Sequence, residues 1–231
     1  MNLMKPLTGK VIAFDLDGTL VDTAPDLIAS MNFAMHSAGY PATPDKIVRN
    51  KIGLGAKALL VAAHKYHQIN PSTAQIDAML AGFLDDYAKH STKRSRVFSG
   101  AISCLQSLKD KGAKLTICTN KRQYLTRPII EKLGLVRYFD DVFCPDNVAA
   151  AKPNAAHVLA AIAPATPPNA ILIGDSETDY MAARNANTAC ILLEHGYSET
   201  PVADLDGAHV LAGFDGLDTA IINYFSTTPP R

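Results

Sequence analysis

Phe14-Asp15-Leu16-Asp17-Gly18-Thr19-Leu20 (FDLDGTL) is the stretch on which the reading of this chain turns. It follows Val11 to Phe14 (VIAF), a short apolar run with the character of a strand buried on both faces of a parallel sheet. The acids begin where that strand should end, and Gly18 offers a turn. Side chains at i and i+2 of an extended backbone point to the same side, so Asp15 and Asp17 would share one side of a strand end. Two carboxylates placed so would repel unless a cation lies between them or one holds a proton. Taken alone, an Asp-x-Asp pair is more simply read as a turn that caps a helix.

Outward from this stretch, further apolar runs of the same kind are Lys114 to Cys118, Asp141 to Cys144, Ala170 to Gly174 and Ala189 to Leu193. Between them, Ala101 to Lys111, Gln123 to Leu133, Ala155 to Ile162 and Thr178 to Asn185 carry helical periodicity. Alternating strands and helices of these lengths predict right-handed βαβ units, an α/β doubly wound parallel sheet of Rossmann-like type, and ligands bound beyond the carboxyl ends of its strands. Thr23 to Thr92 breaks the alternation. It reads as helices only, at Pro25 to Ala38, Pro44 to Asn50, Leu54 to His67 and Pro71 to Lys89, with prolines suited to first helical turns. The expected organisation is a core of residues 1–22 and 92–231, with residues 23–91 as a small helical cap domain inserted after the first strand.

Three further signals fall at the expected strand ends. Thr119-Asn120 offers a hydroxyl and an amide that can donate to phosphate oxygens. Ala151-Lys152-Pro153 sets a lysine before a helix, and Gly174-Asp175-Ser176-Glu177-Thr178-Asp179 ends a strand with two more acids. Each has a plainer reading by itself, as a helix cap or a solvated charge.

In 231 residues, 48% are apolar and 19% charged, which supplies a core and gives no sign of disorder. The 22 Lys and Arg balance the 22 Asp and Glu, arguing against a broad cationic surface for nucleic acid or anionic membrane. Cys104, Cys118, Cys144 and Cys190 sit singly in apolar surroundings and read as buried structural thiols. The opening MNLMKPLTGK has no apolar run suited to a signal peptide or membrane span, so a reducing cytoplasm is expected.

Together, the order and strand-end placement of these motifs resemble the four motifs of the haloacid dehalogenase superfamily of aspartate-nucleophile phosphatases, over nearly the whole chain. The resemblance implies that Asp15 attacks phosphorus and Asp17 serves as general acid and base. It implies phosphate binding by Thr119, Asn120 and Lys152, a Mg2+ cofactor held by Asp15, Asp17 and Asp175, and Asp179 as a supporting acid. The physical need is plain: a carboxylate approaching a phosphate dianion meets repulsions of about 4 kcal/mol per charge pair at about 4 Å and an effective dielectric near 20. Within the superfamily, FDLDGTLVDTAPDL, VRNKIGLGAKALL, TNK and HGYSETP resemble the phosphoglycolate phosphatases, with β-phosphoglucomutases and pyrophosphatases sharing many features. AKPNAA departs from the pattern, with Ala155 where a second proline often stands. The expected partner is a small phosphorylated metabolite, selected in the cap by the cationic, glycine-containing segment with Lys51, Gly53, Gly55 and Lys57. A monomer or homodimer is expected. A non-catalytic binding protein would be expected to have lost at least one of these groups.

Overall fold

The computed structural model describes residues 5–227, so residues 1–4 and 228–231 of the expected core lie outside it. The chain opens with Val11–Phe14 (β1) and Val21–Asp22 (β2), then runs through Ala24–Ser37 (α1), Asp45–Val48 (α2), Ala56–Tyr66 (α3) and Thr73–His90 (α4). It returns through Arg96–Val97 (β3) to Ala101–Asp110 (α5), Lys114–Cys118 (β4), Gln123–Lys132 (α6), Asp141–Phe143 (β5) and Ala155–Ile162 (α7). Ala170–Gly174 (β6), Glu177–Asn185 (α8), Ala189–Leu193 (β7), His209–Leu211 (β8) and Leu217–Thr227 (α9) complete it.

Six strands form one parallel sheet in the order β5-β4-β1-β6-β7-β8. The apolar runs stay unbroken in the central strands because both faces are covered. In β1, Val11 and Ala13 join a cluster with Val158, Ala161 and Ala182, whereas Ile12 and Phe14 join the opposite cluster with Leu105, Ile129 and Ile221. Ile12 and Phe14 are fully buried, and each such side chain contributes about 1.5–3 kcal/mol. The edge strands β5 and β8 are three residues long and partly exposed.

Helices α1, α3 and α4 pack on one another as an insert between β2 and β3, an antiparallel pair joined in register Val21 to Val97. Buried Asp26 clasps its two crossings: its carboxylate accepts the N–H of Arg94 at 2.9 and 3.0 Å and that of Ser95 at 2.8 Å. The apolar side chains of the insert, Met31, Leu60 and Phe83 among them, belong to the same cluster as the β1 face.

The helix expected from Leu54 begins instead at Ala56. Arg49–Leu54 is a 3-10 helix, and Gly55, at φ +91°, takes a conformation that no helix interior allows. The helix expected from Pro44 to Asn50 shrinks to Asp45–Val48, because Arg49 and Asn50 belong to the 3-10 helix. The missing second proline of AKPNAA is answered locally, because the Asn154 side chain accepts the Ala156 N–H at 2.9 Å and caps α7. The cysteines are free: three are buried and Cys190 is half-buried, with burial pushing the Cys118 thiol up to about 12.

Candidate active site

Strand order and register bring the motifs together. β1 lies between β4 and β6, and Phe14 stands level with both Ile117 and Ile173. Asp15, Thr119 and Asp175 therefore leave neighbouring strand ends side by side, on the rim where the order of connection reverses. The Asp15 N–H continues the ladder by donating to the Ile173 carbonyl at 2.9 Å. A cavity of about 540 Å3 opens over them, with Asp15, Asp17, Lys121 and Lys152 on the core side and Ile52, Leu59, Leu84 and Tyr87 of the insert opposite.

Lys152 is 5% exposed and holds two acids at once, Asp15 Oδ1 at 2.9 Å and Asp179 Oδ1 at 2.6 Å. Its backbone is fixed in turn. The Lys152 N–H donates to Asn120 Oδ1 at 2.9 Å and to His157 Nδ1 at 3.2 Å, and the Asn120 amide donates to the Lys152 carbonyl at 2.9 Å. Both ends of the Asn120 side chain are thus committed to Lys152, so Asn120, expected at the phosphate, sits as a positioning group. Burial lowers His157 to about 4, which keeps the ring neutral and able to accept. Sequence reasoning passed over His157, whose place beside Lys152 depends on how α7 packs.

Asp175 accepts the Thr19 hydroxyl at 2.6 Å on Oδ1 and the Tyr197 N–H at 2.8 Å on Oδ2. Gly18 and Gly196 make this possible, since a Cβ on either would overlap the Asp175 carboxylate. Asp179 accepts the Ser176 hydroxyl at 2.6 Å, as part of the capping box that opens α8. The carboxylates of Asp15, Asp175 and Asp179 have oxygens within 4.8 Å of one another, all buried. Asp17, expected among the metal ligands, turns its side chain elsewhere. It accepts Lys121 Nζ at 2.7 and 2.9 Å and the Thr23 hydroxyl at 2.6 Å, and Asp179 takes the third place in the carboxylate group.

The electrostatics of this group are those of a cation site. Burial pushes the Asp15 carboxyl up to about 6, against the pull of Lys152 and with the help of Asp179 and Asp17. Burial, then the neighbouring Asp179 and Asp15, hold Asp175 well above the usual carboxylate range. Burial works against the Lys152 ammonium, yet Asp15 and Asp179 more than offset it and keep it charged. Two of the three acids thus share one lysine, Asp175 has none among the described residues, and Asp15 Oδ1 accepts no hydrogen bond of normal geometry. A hard divalent ion that takes carboxylate oxygens fits this donor set.

Linkage gives a test. A carboxyl whose folded pKa is raised contributes stability that is complete below its unfolded value, near 3.8, and is lost as pH rises through about 6. Magnesium should therefore raise the thermal midpoint little at about pH 5, where protons already neutralise the group, and much more at about pH 7.5. An equal rise at both pH values would count against this carboxylate group as the metal site.

Comparison with known proteins agrees with the geometry. Residues 12–193 match the model of the haloacid dehalogenase-like hydrolases. The chain belongs to that family. It is 37% identical over 99% of its length to a phosphoglycolate phosphatase of Caulobacter vibrioides, of which it covers 98%. It is 38% identical over 94% of its length to another from Agrobacterium fabrum, of which it covers 94%. Among solved structures, a predicted phosphoglycolate phosphatase from Haemophilus somnus superposes with a TM-score of 0.84 at 27% identity, covering 92% of this chain and 97% of that one. The resemblance read from the motifs stands, as do the parallel α/β fold and the enzyme class of phosphoric monoester hydrolase. No helix among the described residues is long and apolar enough to cross a membrane.

The segment expected to select substrate is divided. Gly53, Gly55 and Lys57 line the cavity. Lys51 instead pairs with Glu199 of the core, and Lys57 Nζ reaches Asp77 at 2.7 Å on the exposed side of the insert. Sequence reasoning also missed Lys121, although it closes the TNK triplet quoted above.

Proposed function

We propose that this hydrolase cleaves a small phosphate monoester that carries a carboxylate, with 2-phosphoglycolate the leading candidate, through an aspartyl-phosphate on Asp15. The observation that carries the reading is the placing of Asp15, buried at the cavity floor, held by Lys152 and standing in the group of three carboxylates, with Asp17 in the same cavity. Magnesium, held by Asp15, Asp175 and Asp179, would supply the positive charge that lets a carboxylate approach a phosphate.

The chain's own residues supply the rest. Lys152 lies against Asp15 and neutralises charge between nucleophile and phosphate, and the hydroxyl of Thr119, which lines the cavity just past β4, donates to a phosphoryl oxygen in this reading. An Asp15 oxygen bonds to phosphorus while the ester P–O bond breaks, and the departing alkoxide takes a proton from Asp17, which has first left Lys121 and bound that proton from solvent. Water then bonds to phosphorus and gives a proton to the Asp17 carboxylate. The acyl-phosphate P–O bond breaks, and Asp15 and inorganic phosphate are released. Transfer of this kind depends mainly on positioning and charge.

Phosphate release with Mg2+ from a panel of metabolites tests the reading. 2-Phosphoglycolate should exceed neutral-tailed esters of similar size by about tenfold or more in kcat/KM, a margin that needs only about 1.4 kcal/mol in the transition state. A sugar phosphate, nucleotide or pyrophosphate better by a similar factor would remove the glycolate assignment. Phosphate retained on a sugar product would make the chain a mutase.

A further inference from the structure

We propose that Lys121 is the residue that recognises the carboxylate of the substrate, by exchanging its present partner Asp17 for that carboxylate. This rests on the reading of Asp15 and Asp17 given above. The Lys121 side chain is 5% exposed, and its ammonium spends its position on Asp17, at 2.7 Å from Oδ2 and 2.9 Å from Oδ1. The same nitrogen stands 4.8 Å from the ring centre of Tyr87, a fully buried residue of the insert. Lys121 is thus a cation set between the proposed acid and the wall that faces the alkyl side of a bound ester.

The other cations near the cavity are engaged differently. Lys152 is held between Asp15 and Asp179 under the phosphate, Lys51 is tied to Glu199, and Lys57 is tied to Asp77 on the surface. Arg122 is 69% exposed and faces Asp146 at 3.9 Å. The insert's wall is apolar, with Leu59, Leu84 and Tyr87. A carboxylate brought against such a wall without a cation would lose its hydration with nothing to replace it. Among the described cations lining the cavity, only Lys121 combines burial, contact with Asp17 and contact with the insert.

Chain length supports the match. In 2-phosphoglycolate the carboxylate carbon is separated from the ester oxygen by a single methylene, so an ester oxygen beside Asp17 puts the carboxylate within reach of the ammonium that Asp17 now holds. Entry of the carboxylate competes for Lys121 and leaves Asp17 free to bind a proton from solvent and turn to the leaving oxygen. A neutral-tailed ester brings no competitor, so Asp17 stays on Lys121. Selectivity then arises at the end of β4 in the core and is read through the same side chain that performs acid catalysis.

The test compares wild type, Lys121→Met and Lys121→Arg, each with 2-phosphoglycolate and with ethyl phosphate, which has the same backbone without the carboxylate. Wild type should favour 2-phosphoglycolate by about tenfold or more in kcat/KM, Lys121→Met should bring that ratio to within about threefold of unity, and Lys121→Arg should restore a preference. A Lys121→Met protein that slows both esters by the same factor would overturn the proposal. Should that variant be too slow to assay, calorimetric binding of both esters to the Asp15→Asn protein decides. Adding Lys121→Met should weaken 2-phosphoglycolate by about tenfold and ethyl phosphate by less than about threefold, and equal weakening overturns the proposal. A wild type with no preference for 2-phosphoglycolate removes the substrate reading and this proposal together. A wild-type preference that survives Lys121→Met removes this proposal alone.

Discussion

Asp15→Asn is expected to lower kcat by at least about 10^3-fold while leaving the protein folded, because an amide of nearly the same shape cannot serve as the attacking group. The fold should tolerate the change well. Burial drives the Asp15 carboxyl up to about 6, so at neutral pH the folded protein carries an ionised group in a place that penalises its charge. The amide removes that charge, and Lys152 keeps Asp179 at 2.6 Å as a partner. In the absence of magnesium the thermal midpoint of Asp15→Asn should therefore equal or exceed that of wild type. The midpoint gained on adding magnesium should shrink, since one of the three carboxylates has gone. The pairing of lost turnover with retained stability is what separates a functional acid from a structural one. Phosphate release within about tenfold of wild type would remove Asp15 as the nucleophile.

Lys152→Met should be among the most destabilising substitutions in the chain. The methionine fills much the same space, but it leaves Asp15 and Asp179 without their ammonium, buried together with Asp175. Breaking a buried ion pair from one side costs about 3–5 kcal/mol. For a chain of this size that is a fall of roughly 6–20 °C in thermal midpoint at neutral pH. The sign of the pH dependence follows from the same group. Below about pH 5 the acids can take up protons in place of the lost lysine, so the deficit should narrow there and widen toward about pH 8. Magnesium should recover part of it at the higher pH. A loss of under about 1 kcal/mol at both pH values would show that Lys152 does not offset these carboxylates.

The fold was legible because its decisive signals are local. Val11–Phe14, Lys114–Cys118, Ala170–Gly174 and Ala189–Leu193 are apolar runs that have no stable place except between two layers of helices, and the structure keeps each at the limits read from the sequence. Elements without such a signal were not legible. The three residues of His209–Leu211 are too few to show a period, and β2 and β3 pair only where the chain returns from the insert, with Asp26 bound to Arg94 at a sequence separation of 68. The glycine-containing segment with Gly53 and Gly55 predicts a turn leading into a helix from Leu54, but only the positive φ of Gly55 fixes where helix α3 begins.

The sequence by itself determined the residue types available for chemistry and the strand ends that carry them: Asp15, Asp17, Thr119, Lys152, Asp175 and Asp179. These positions follow from the ends of apolar runs, which short-range sterics and burial fix within a few residues. Which groups face one another was settled only by the tertiary structure. The order β4-β1-β6 placed Lys152 between Asp15 and Asp179, and it let Asn120 and His157 grip Lys152 rather than a ligand. The packing of the insert put Tyr87 over Lys121, and Lys121 onto Asp17. Long charged side chains choose partners by distances of a few ångströms between segments far apart in the chain, 104 residues for Lys121 and Asp17 and 148 for Lys51 and Glu199, and no local pattern encodes such a distance.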